Sequence, residues 1–392
     1  MNKLKLVCAA VYAPDPLPEN TVVLVHGGEI AYVGPDRPTG DYREVDCKGH
    51  ILSPGFIDMH VHGGGGFDFM DSTPEAILGA ARSHLLHGST SILPTTVAGT
   101  VQQLQEFFDA FAEAKNRPGG ENLLGHHLEG PYYAYDYRGA QDPKYLCHPE
   151  PRHYEQILSL TEDMKVWSIA PELPGAMELG DCLAQRGIVA AIGHSGATFD
   201  EVMEAVGHGY SHVTHLYSCT SSVVRKNSFR TAGIVEAAFY SDALTVEVIA
   251  DGVHLPGSLL QLVHKIKGPE KTVAVSDAMR AAGMPDGDYV LGNRSTGATV
   301  TVRDGVSWFP GGLGFGGGTG ASGALVRNLI RLAGLPVQDA IRMMTATPAR
   351  ILGASRKGKI AQGHDADLIV FDENVTMRTV IVNGEIVFSR EP

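Results

Sequence analysis

The stretch GFIDMHVHGGGG, residues 55–66, joins an apolar run to two histidines and four glycines. Side chains alternate between the two faces of a β-strand, so His60 and His62 point to the same side. Two imidazoles on one face are able to bind one metal ion, for which imidazole is a common ligand. A metal site at this strand end needs further ligands from elsewhere in the chain.

The same unit recurs between residues 52 and 280: an apolar run stops at polar residues, and a stretch of helical period follows. Helix starts are marked, as at Thr198, which precedes Glu201 by the spacing of a capping box, and at Pro74 after Thr73. Strands that alternate with helices predict an α/β fold, and eight of them predict a (β/α)8 TIM barrel, here over residues 52–353. The runs are GFIDMHVH, TSILPTTV, LLGHHLEG, KVWSIAPE, VAAIGHSG, SHVTHLYS, LTVEVIAD and KTVAVSDA.

The two ends of the chain differ from the middle. Residues 1–51 and 354–392 contain short β-like runs, among them TVVLVHGGEIAYVG and ADLIVFDENVTMRTVIVNGEIVF. They read as hairpins without a helical partner in sequence. We expect the two segments to pair into one small antiparallel β-domain, a β-sandwich that flanks the barrel. The segment MNKLKLVCAAVYAPD weakly imitates a secretory signal, but its apolar stretch is short and an edge strand is the preferred interpretation.

Composition excludes some functions. A formal charge of −13 argues against general nucleic-acid binding, which needs a basic surface. No apolar run reaches the roughly 18 residues of a membrane span. The cysteines show no C-x-x-C spacing, which indicates neither a disulfide framework nor a thiolate zinc site and fits a reducing cytoplasm. They are Cys8, Cys47, Cys147, Cys182 and Cys219.

The residues that end the predicted barrel strands are rich in metal-ligand types. In a TIM barrel these ends converge on one mouth, where active sites of this architecture lie. A single histidine there is commonly a hydrogen-bonded core residue, and a single aspartate is commonly a helix cap. Six such residues at the ends of the predicted strands, all on one rim, instead favour a binding site for Zn²⁺ or Fe²⁺. The six are His60, His62, Glu129, His194, His215 and Asp277.

Nearly the whole chain resembles the amidohydrolase superfamily, and within it the N-acetylglucosamine-6-phosphate deacetylases. The resemblance rests on PGFIDMHVHGGGGFDFMD, HHLEGPYY, AIGHSGAT, THLY, IADGVHLP and SDAM, which occur in the expected order. A glutamate after the third strand separates this group from dihydroorotases and hydantoinases, which commonly use a carboxylated lysine. The resemblance implies hydrolysis of the acetyl amide of an amino sugar phosphate by a homodimer.

The resemblance also implies roles for the strand-end residues. Glu129, His194 and His215 are implied to bind the metal, and Asp277 to be the catalytic acid and base. Some relatives keep the H-x-H pair and hold a second metal, so one or two ions are expected, with His60 and His62 at the second position. The alternative is that this pair only orients the other ligands.

A basic segment follows the sixth strand. SSVVRKNSFR carries Arg225, Lys226 and Arg230 with no acid among them. In the resembling family an arginine of this region reaches into the neighbouring subunit, which implies a phosphate clamp across a dimer interface. A solvated basic loop is the competing interpretation. His254 in ADGVHLP matches a family histidine that binds substrate.

Two departures from the family pattern concern substrate-facing positions. Gln141 in RGAQDP stands where many relatives have histidine, and Ser218 and Cys219 stand where they have asparagine and alanine. An amidohydrolase for a different amide or an isomeric amino sugar therefore stays open. A metal-binding or sugar-binding protein without catalysis is disfavoured by Asp277. The glycine-rich residues 309–323 lack a P-loop lysine and are expected to form a flexible loop near the barrel mouth.

Overall fold

The computed structural model describes residues 2–37, 40–312 and 314–390, without the side chain of Lys226. All eight predicted barrel strands are present; five lie within the apolar run that predicted them, and three begin one residue before it. In chain order they are Phe56–Val61, Ser89–Pro94, His126–Glu129, Met164–Ile169, Val189–Ile192, Tyr210–Val213, Thr245–Ile249 and Thr272–Val275. We call them barrel strands one to eight.

Parallel pairing joins these strands into a ring. Strands three to eight form one continuous parallel sheet, and strands one and two form a parallel pair. Parallel bridges Thr95↔His127 and Val61↔Ala278 connect that pair to strands three and eight. These pairings are consistent with the predicted barrel, in which all carboxyl strand ends lie at one mouth.

Helices follow the strands as the helical periodicity predicts. Thr73 caps the first helix with Pro74 in its first turn, and Thr198 and Glu201 form the predicted capping box. The helices between and after the barrel strands are Pro74–Leu85, Val101–Lys115, Pro151–Leu158, Ala176–Gln185, Phe199–Gly207, Ile234–Tyr240, Gly257–Lys267, Ser322–Arg331, Val337–Met343 and Ala346–Ile351. None of these helices, nor any other in the described residues, has the length and apolarity of a membrane span.

The terminal segments pair with each other, as expected, in one seven-stranded sheet. Its order is Glu385–Ser389, Met377–Val382, Leu368–Phe371, Arg43–Pro54, Lys3–Val11, Thr21–His26 and Glu29–Pro35. Two expectations were wrong: Lys3–Val11 lies inside the sheet rather than at an edge, and its pairing with Arg43–Pro54 is parallel. Arg43–Pro54 also crosses the predicted boundary at residue 52. The sandwich arrangement stays a prediction.

The chain segment between the eighth barrel strand and the helix Ser322–Arg331 forms an antiparallel sheet that covers the barrel mouth. Its strands are Gly287–Leu291, Ala298–Arg303, Val306–Trp308 and Phe315–Gly318. The expectation of a flexible loop over residues 309–323 was wrong for the part that pairs, because Phe315–Gly318 bonds to Val306–Trp308 and Gly318 N–H donates to the carbonyl of Asp277. Leu313 lies outside the described residues.

Candidate metal centre

Three residues from three barrel strands form the tightest group at the mouth. Glu129 ends strand three, and His194 and His215 follow strands five and six. The Oε1 atom of Glu129 lies 3.0 Å from His194 Nε2 and 3.1 Å from His215 Nε2, and the two Nε2 atoms are 3.2 Å apart. Tetrahedral ligands at about 2.0 Å from zinc are separated by about 3.3 Å, which these distances approach.

Hydrogen bonds fix the orientation of both histidine rings. Nδ1 of His194 bonds to the carbonyl oxygen of Tyr137 at 3.0 Å, and Nδ1 of His215 bonds to that of Ser218 at 3.1 Å. Because carbonyl oxygens only accept, each Nδ1 donates, and this leaves the Nε2 atom that faces Glu129 as the nitrogen of each ring that is placed to bind a metal. This donor set fits a divalent metal.

The H-x-H pair completes a second group beside the first. His62 Nε2 lies 3.4 Å from Glu129 Oε2 and 3.2 Å from Asp277 Oδ1. His60 Nε2 lies 3.5 Å from both carboxylates and has no hydrogen-bond partner, although its atom is fully buried. A buried nitrogen aimed at carboxylates without a hydrogen bond fits a ligand for a cation. We call His60, His62, Glu129, His194, His215 and Asp277 the ligand cluster.

Negative charge is concentrated around His60. Glu247, on strand seven, is fully buried and binds His60 Nδ1 at 2.9 Å and His212 Nε2 at 3.2 Å. Burial alone lowers the pKa of His60, but the charges of Glu247 and Asp277 outweigh it and raise the pKa to about 10. Three buried carboxylates thus demand positive charge at this place, which a divalent cation supplies.

Asp277 is the most accessible member of the ligand cluster. Its side chain is 13% exposed, against 6% or less for its neighbours Glu129 and His62. Burial alone raises the pKa of Asp277, but His60 and His62 outweigh it and hold the pKa below the usual aspartate value. Asp277 is therefore a carboxylate at neutral pH and is open to a ligand in the cavity.

The backbone at these strand ends is strained. His194, His215 and Asp277 have φ angles of 49°, 28° and 46°, in the region that favours glycine. Such conformations cost free energy and persist where the surrounding structure imposes them. Here the strain turns three functional side chains, from the ends of strands five, six and eight, toward one point.

A cavity of about 200 Å³ lies directly over the ligand cluster; we call it the inner cavity. Gln141 lines this cavity, and both polar atoms of its side-chain amide are hydrogen-bonded. Its Nε2 donates to Glu129 Oε2 at 2.7 Å, and its Oε1 accepts from the backbone N–H of Ala98 at 2.7 Å. Ser218, Cys219 and His254 line the same cavity, as predicted for substrate-facing residues.

His254 is held in place by an acid from its own loop. Asp251 Oδ2 lies 2.7 Å from His254 Nδ1, and Oδ1 accepts from the backbone N–H of His254 at 2.9 Å. Burial lowers the pKa of His254, but Asp251 and then Asp277 outweigh it and raise the pKa above the usual histidine value. A cationic imidazole on the inner cavity suits an anionic group of a ligand.

The predicted basic clamp does not line the inner cavity. Arg225 and Arg230 lie on an exposed hairpin formed by Val224–Lys226 and Phe229–Thr231, which we call the basic hairpin. The two arginines are direct cross-strand partners. The side chain of Lys226 lies outside the described residues. The chain therefore brings together every other predicted site residue but leaves these arginines at the surface.

Sequence reasoning missed Glu247, Asp251 and the role of Gly139. Glu247 had a signal, namely a glutamate inside the apolar run LTVEVIAD, where an unpaired charge is costly. Gly139 has a φ of 54°, and an added Cβ would lie 2.6 Å from Cys219 Sγ and 3.5 Å from the His194 ring. Only glycine fits this close approach, and the sequence gives no sign of it.

Comparison with known proteins adds independent support. The Amidohydrolase family pattern matches residues 51–387. The chain is 30% identical over 377 residues to N-acetylglucosamine-6-phosphate deacetylase of Lysinibacillus sphaericus, covering 94% of this chain and 93% of that protein. It is 32% identical over 362 residues to N-acetylgalactosamine-6-phosphate deacetylase of Escherichia coli O157:H7, covering 92% of each.

Solved structures agree over the full length. A mutant of N-acetyl-D-glucosamine-6-phosphate deacetylase from Mycobacterium smegmatis, in complex with N-acetyl-D-glucosamine-6-phosphate, superimposes with a TM-score of 0.92 at 28% identity and covers 99% of this chain and 100% of its own. The Pasteurella multocida N-acetylglucosamine-6-phosphate deacetylase gives a TM-score of 0.90 at 29% identity, with 98% and 99% coverage.

Proposed function

The chain belongs to the amidohydrolase family, and we propose that it hydrolyses the N-acetyl amide of an N-acetylhexosamine 6-phosphate, giving an amino sugar phosphate and acetate. The observation that carries this function is the Glu129, His194 and His215 triad with the Asp277 carboxylate on the same inner cavity. Relatives named for the gluco and galacto substrates support an amino sugar phosphate as the substrate class.

Glu129, His194 and His215 would hold the primary metal, and His60 and His62 a second one next to Glu129. Zn²⁺ is our first choice and Fe²⁺ the alternative, because imidazole and carboxylate suit both. A bound divalent metal polarises the amide carbonyl and lowers the pKa of water toward neutrality. Glu247 fixes the ring of His60 through Nδ1, which sets the tautomer that presents Nε2.

Asp277 moves the protons of the reaction. As a carboxylate it accepts a proton from the attacking water, and it then donates that proton to the departing amine. Its neighbours His60 and His62 hold the pKa low, which keeps the base form available at neutral pH. Gln141 has one amide N–H on Glu129, and its second N–H is available to the substrate carbonyl.

The phosphate is proposed to bind at His254 and at an arginine of the basic hairpin from the partner subunit of a homodimer. Arg225 and Arg230 face each other across the hairpin, and directly opposed like charges repel unless an anion lies between them. The hairpin also exposes Val223, Val224 and Phe229, by 52%, 50% and 78%. Exposed apolar residues next to unpaired charge support a contact with a second subunit.

Because Gln141 and Ser218 depart from the family pattern at substrate-facing positions, the identity of the sugar stays open. The second candidate function is hydrolysis of an isomeric amino sugar or a different amide, which these two departures favour.

The five cysteines are free thiols, which supports the cytoplasm as the compartment. The proposed phosphate site involves only a few basic residues, whereas nucleic-acid binding needs an extended basic surface. The overall charge of −13 therefore still argues against nucleic acid as a partner.

The test is a substrate panel on the metal-reconstituted protein. N-acetylglucosamine 6-phosphate, its galacto and manno isomers, and the unphosphorylated sugars are assayed for released acetate. We expect the highest kcat/KM on one of the 6-phosphates. Faster acetate release from an unphosphorylated sugar, or no acetate from any of them, would contradict the proposed function.

A further inference from the structure

A second and larger cavity opens from the inner cavity and is not needed for an acetyl group. Its volume is about 710 Å³, within the range of about 300–1,000 Å³ that is typical of ligand pockets. We call it the outer cavity. Val97, Leu291 and Phe315 line both cavities, so an apolar wall continues from the ligand cluster into the outer cavity.

The residues of the outer cavity do not suit a phosphate. Arg138 is the basic side chain among its described lining residues, and Asp136 and Asp142 line it as well. Arg138 already donates to the carbonyl of Tyr135 at 2.6 Å and lies over the Tyr135 ring at 4.1 Å. The phosphate therefore belongs in the inner cavity, because His254 lines that cavity and does not line the outer one.

The shape of the substrate then decides which end enters the outer cavity. In a 2-acylamino hexose 6-phosphate, the acyl group on C2 and the phosphate beyond C5 are on opposite sides of the sugar ring. With the phosphate at His254 and the amide at the ligand cluster, the acyl group points away from the phosphate. Val97 and Leu291 line both cavities, and Met70 extends the apolar lining in the outer cavity.

We propose that the outer cavity is an acyl subsite and that the enzyme removes linear N-acyl groups of up to about six carbons from amino sugar 6-phosphates as well as acetyl. This inference rests on the proposed function. Each methylene that leaves water for an apolar surface gains about 0.8 kcal/mol, or about fourfold in affinity, so a longer chain offsets its own ordering cost. The reaction is the same amide hydrolysis: water attacks the acyl carbon, the C–N bond breaks, the amino sugar 6-phosphate departs as the amine, and the acyl chain is released as its carboxylate.

The strand Ala298–Arg303 supplies a matched pair of blocking and control positions. Ala298 lines the outer cavity and pairs with Leu291, so both side chains are on the face toward the cavity. Thr299 pairs with Val290 on the opposite face. Both positions are exposed, so a larger side chain at either one leaves the protein core intact. Ala298→Trp narrows the outer cavity, and Thr299→Trp does not.

The test compares N-acetyl and N-hexanoyl glucosamine 6-phosphate on the metal-loaded enzyme. We expect kcat/KM for the hexanoyl substrate to be at least about one tenth of that for the acetyl substrate, since an excluded chain loses far more. Ala298→Trp should lower this ratio by at least about tenfold, and Thr299→Trp should leave it unchanged. A wild-type ratio below one tenth, or an equal loss on both substrates in Ala298→Trp, overturns the inference.

Binding separates this inference from the proposed function. Calorimetry on metal-loaded Asp277→Asn, in which turnover is expected to be about 10² to 10⁴ times slower, should show the hexanoyl substrate binding at least as tightly as the acetyl substrate. Adding Ala298→Trp should weaken the hexanoyl substrate selectively. If the acetyl substrate is not hydrolysed by the wild type, the proposed function has failed; if only the hexanoyl substrate fails to bind, the acyl subsite has failed.

Discussion

The ligand cluster and the basic hairpin are both proposed to act on one substrate, but they are built in opposite ways. Members of the ligand cluster such as Glu129 and His215 are at most 4% exposed in their side chains and are held by partners from their own chain. Arg225 and Arg230 are exposed and face each other. Under the proposed function, the difference teaches that the chemistry is preorganised within one chain, whereas the phosphate is proposed to be recognised with the help of a second subunit.

The largest expected effect is the loss of a primary ligand. His215→Ala removes one of three donors at 3.0–3.2 Å spacing, so we expect both tight metal binding and detectable turnover to disappear. Elemental analysis and acetate release measure the two effects. His208→Ala, at an exposed histidine, is the matched control and should keep both. An active, metal-containing His215→Ala protein would show that the ligand cluster is not the metal site.

The proton carrier is expected to have the next largest effect. Asp277→Asn keeps the shape of the side chain but cannot relay a proton, so kcat should fall by about 10² to 10⁴ while metal content stays near that of the wild type. Asp181→Asn, the same change at a half-exposed residue, controls for the loss of charge. Turnover close to wild type in Asp277→Asn would exclude its role as acid and base.

A substitution in the H-x-H pair should have a smaller effect, which is confined to the number of metal ions bound per chain. His62→Asn removes a nitrogen that lies 3.4 Å from Glu129 and 3.2 Å from Asp277 without touching His194 or His215. We expect the metal content to fall without emptying the primary site, and the affinity of the second position to drop about 10- to 100-fold. Metal titration with elemental analysis measures both. Complete loss of metal would mean that the primary site is misassigned.

The basic hairpin should give the smallest effect and the most selective one. Arg230→Met should raise KM for the phosphorylated sugar about tenfold, since a charged hydrogen bond contributes about 1.5–3 kcal/mol, and leave the unphosphorylated sugar unchanged. Arg186→Met, at an exposed helix end, is the control. Equal losses on both substrates would mean that the hairpin supports structure rather than phosphate binding.

Subunit mixing sharpens the same comparison. If Arg230 acts across a dimer interface, Asp277→Asn and Arg230→Met chains together form hybrid dimers with one intact site. Part of the activity should return on mixing, as measured by acetate release after subunit exchange is verified with tagged chains. No recovery in verified hybrids would place each complete site within one chain.

The barrel and the six members of the ligand cluster could be predicted because their signals are local. Each barrel strand is a short apolar run, and its last residues lie at the mouth whatever the details of packing. His194, His215 and Asp277 follow directly from that rule. The terminal sheet was predicted less well, because period-two patterns identify strands such as Lys3–Val11 without fixing their neighbours or direction.

Only the tertiary structure decided which distant residues act together. Glu247 is 187 residues from His60 in sequence, and the pairing of Gln141 with Glu129 depends on the loop that Gly139 brings against Cys219. The sheet over the mouth and the outer cavity likewise depend on contacts that Leu291, Gly292 and Asn293 make with Asp68, Met70 and the cluster against which Ala140 packs. Hydrophobic periodicity is a property of neighbours along the chain, so the sequence determined the barrel and its reactive rim. Hydrogen-bond partners and cavity walls arise when segments far apart in sequence pack, so only the fold determined them.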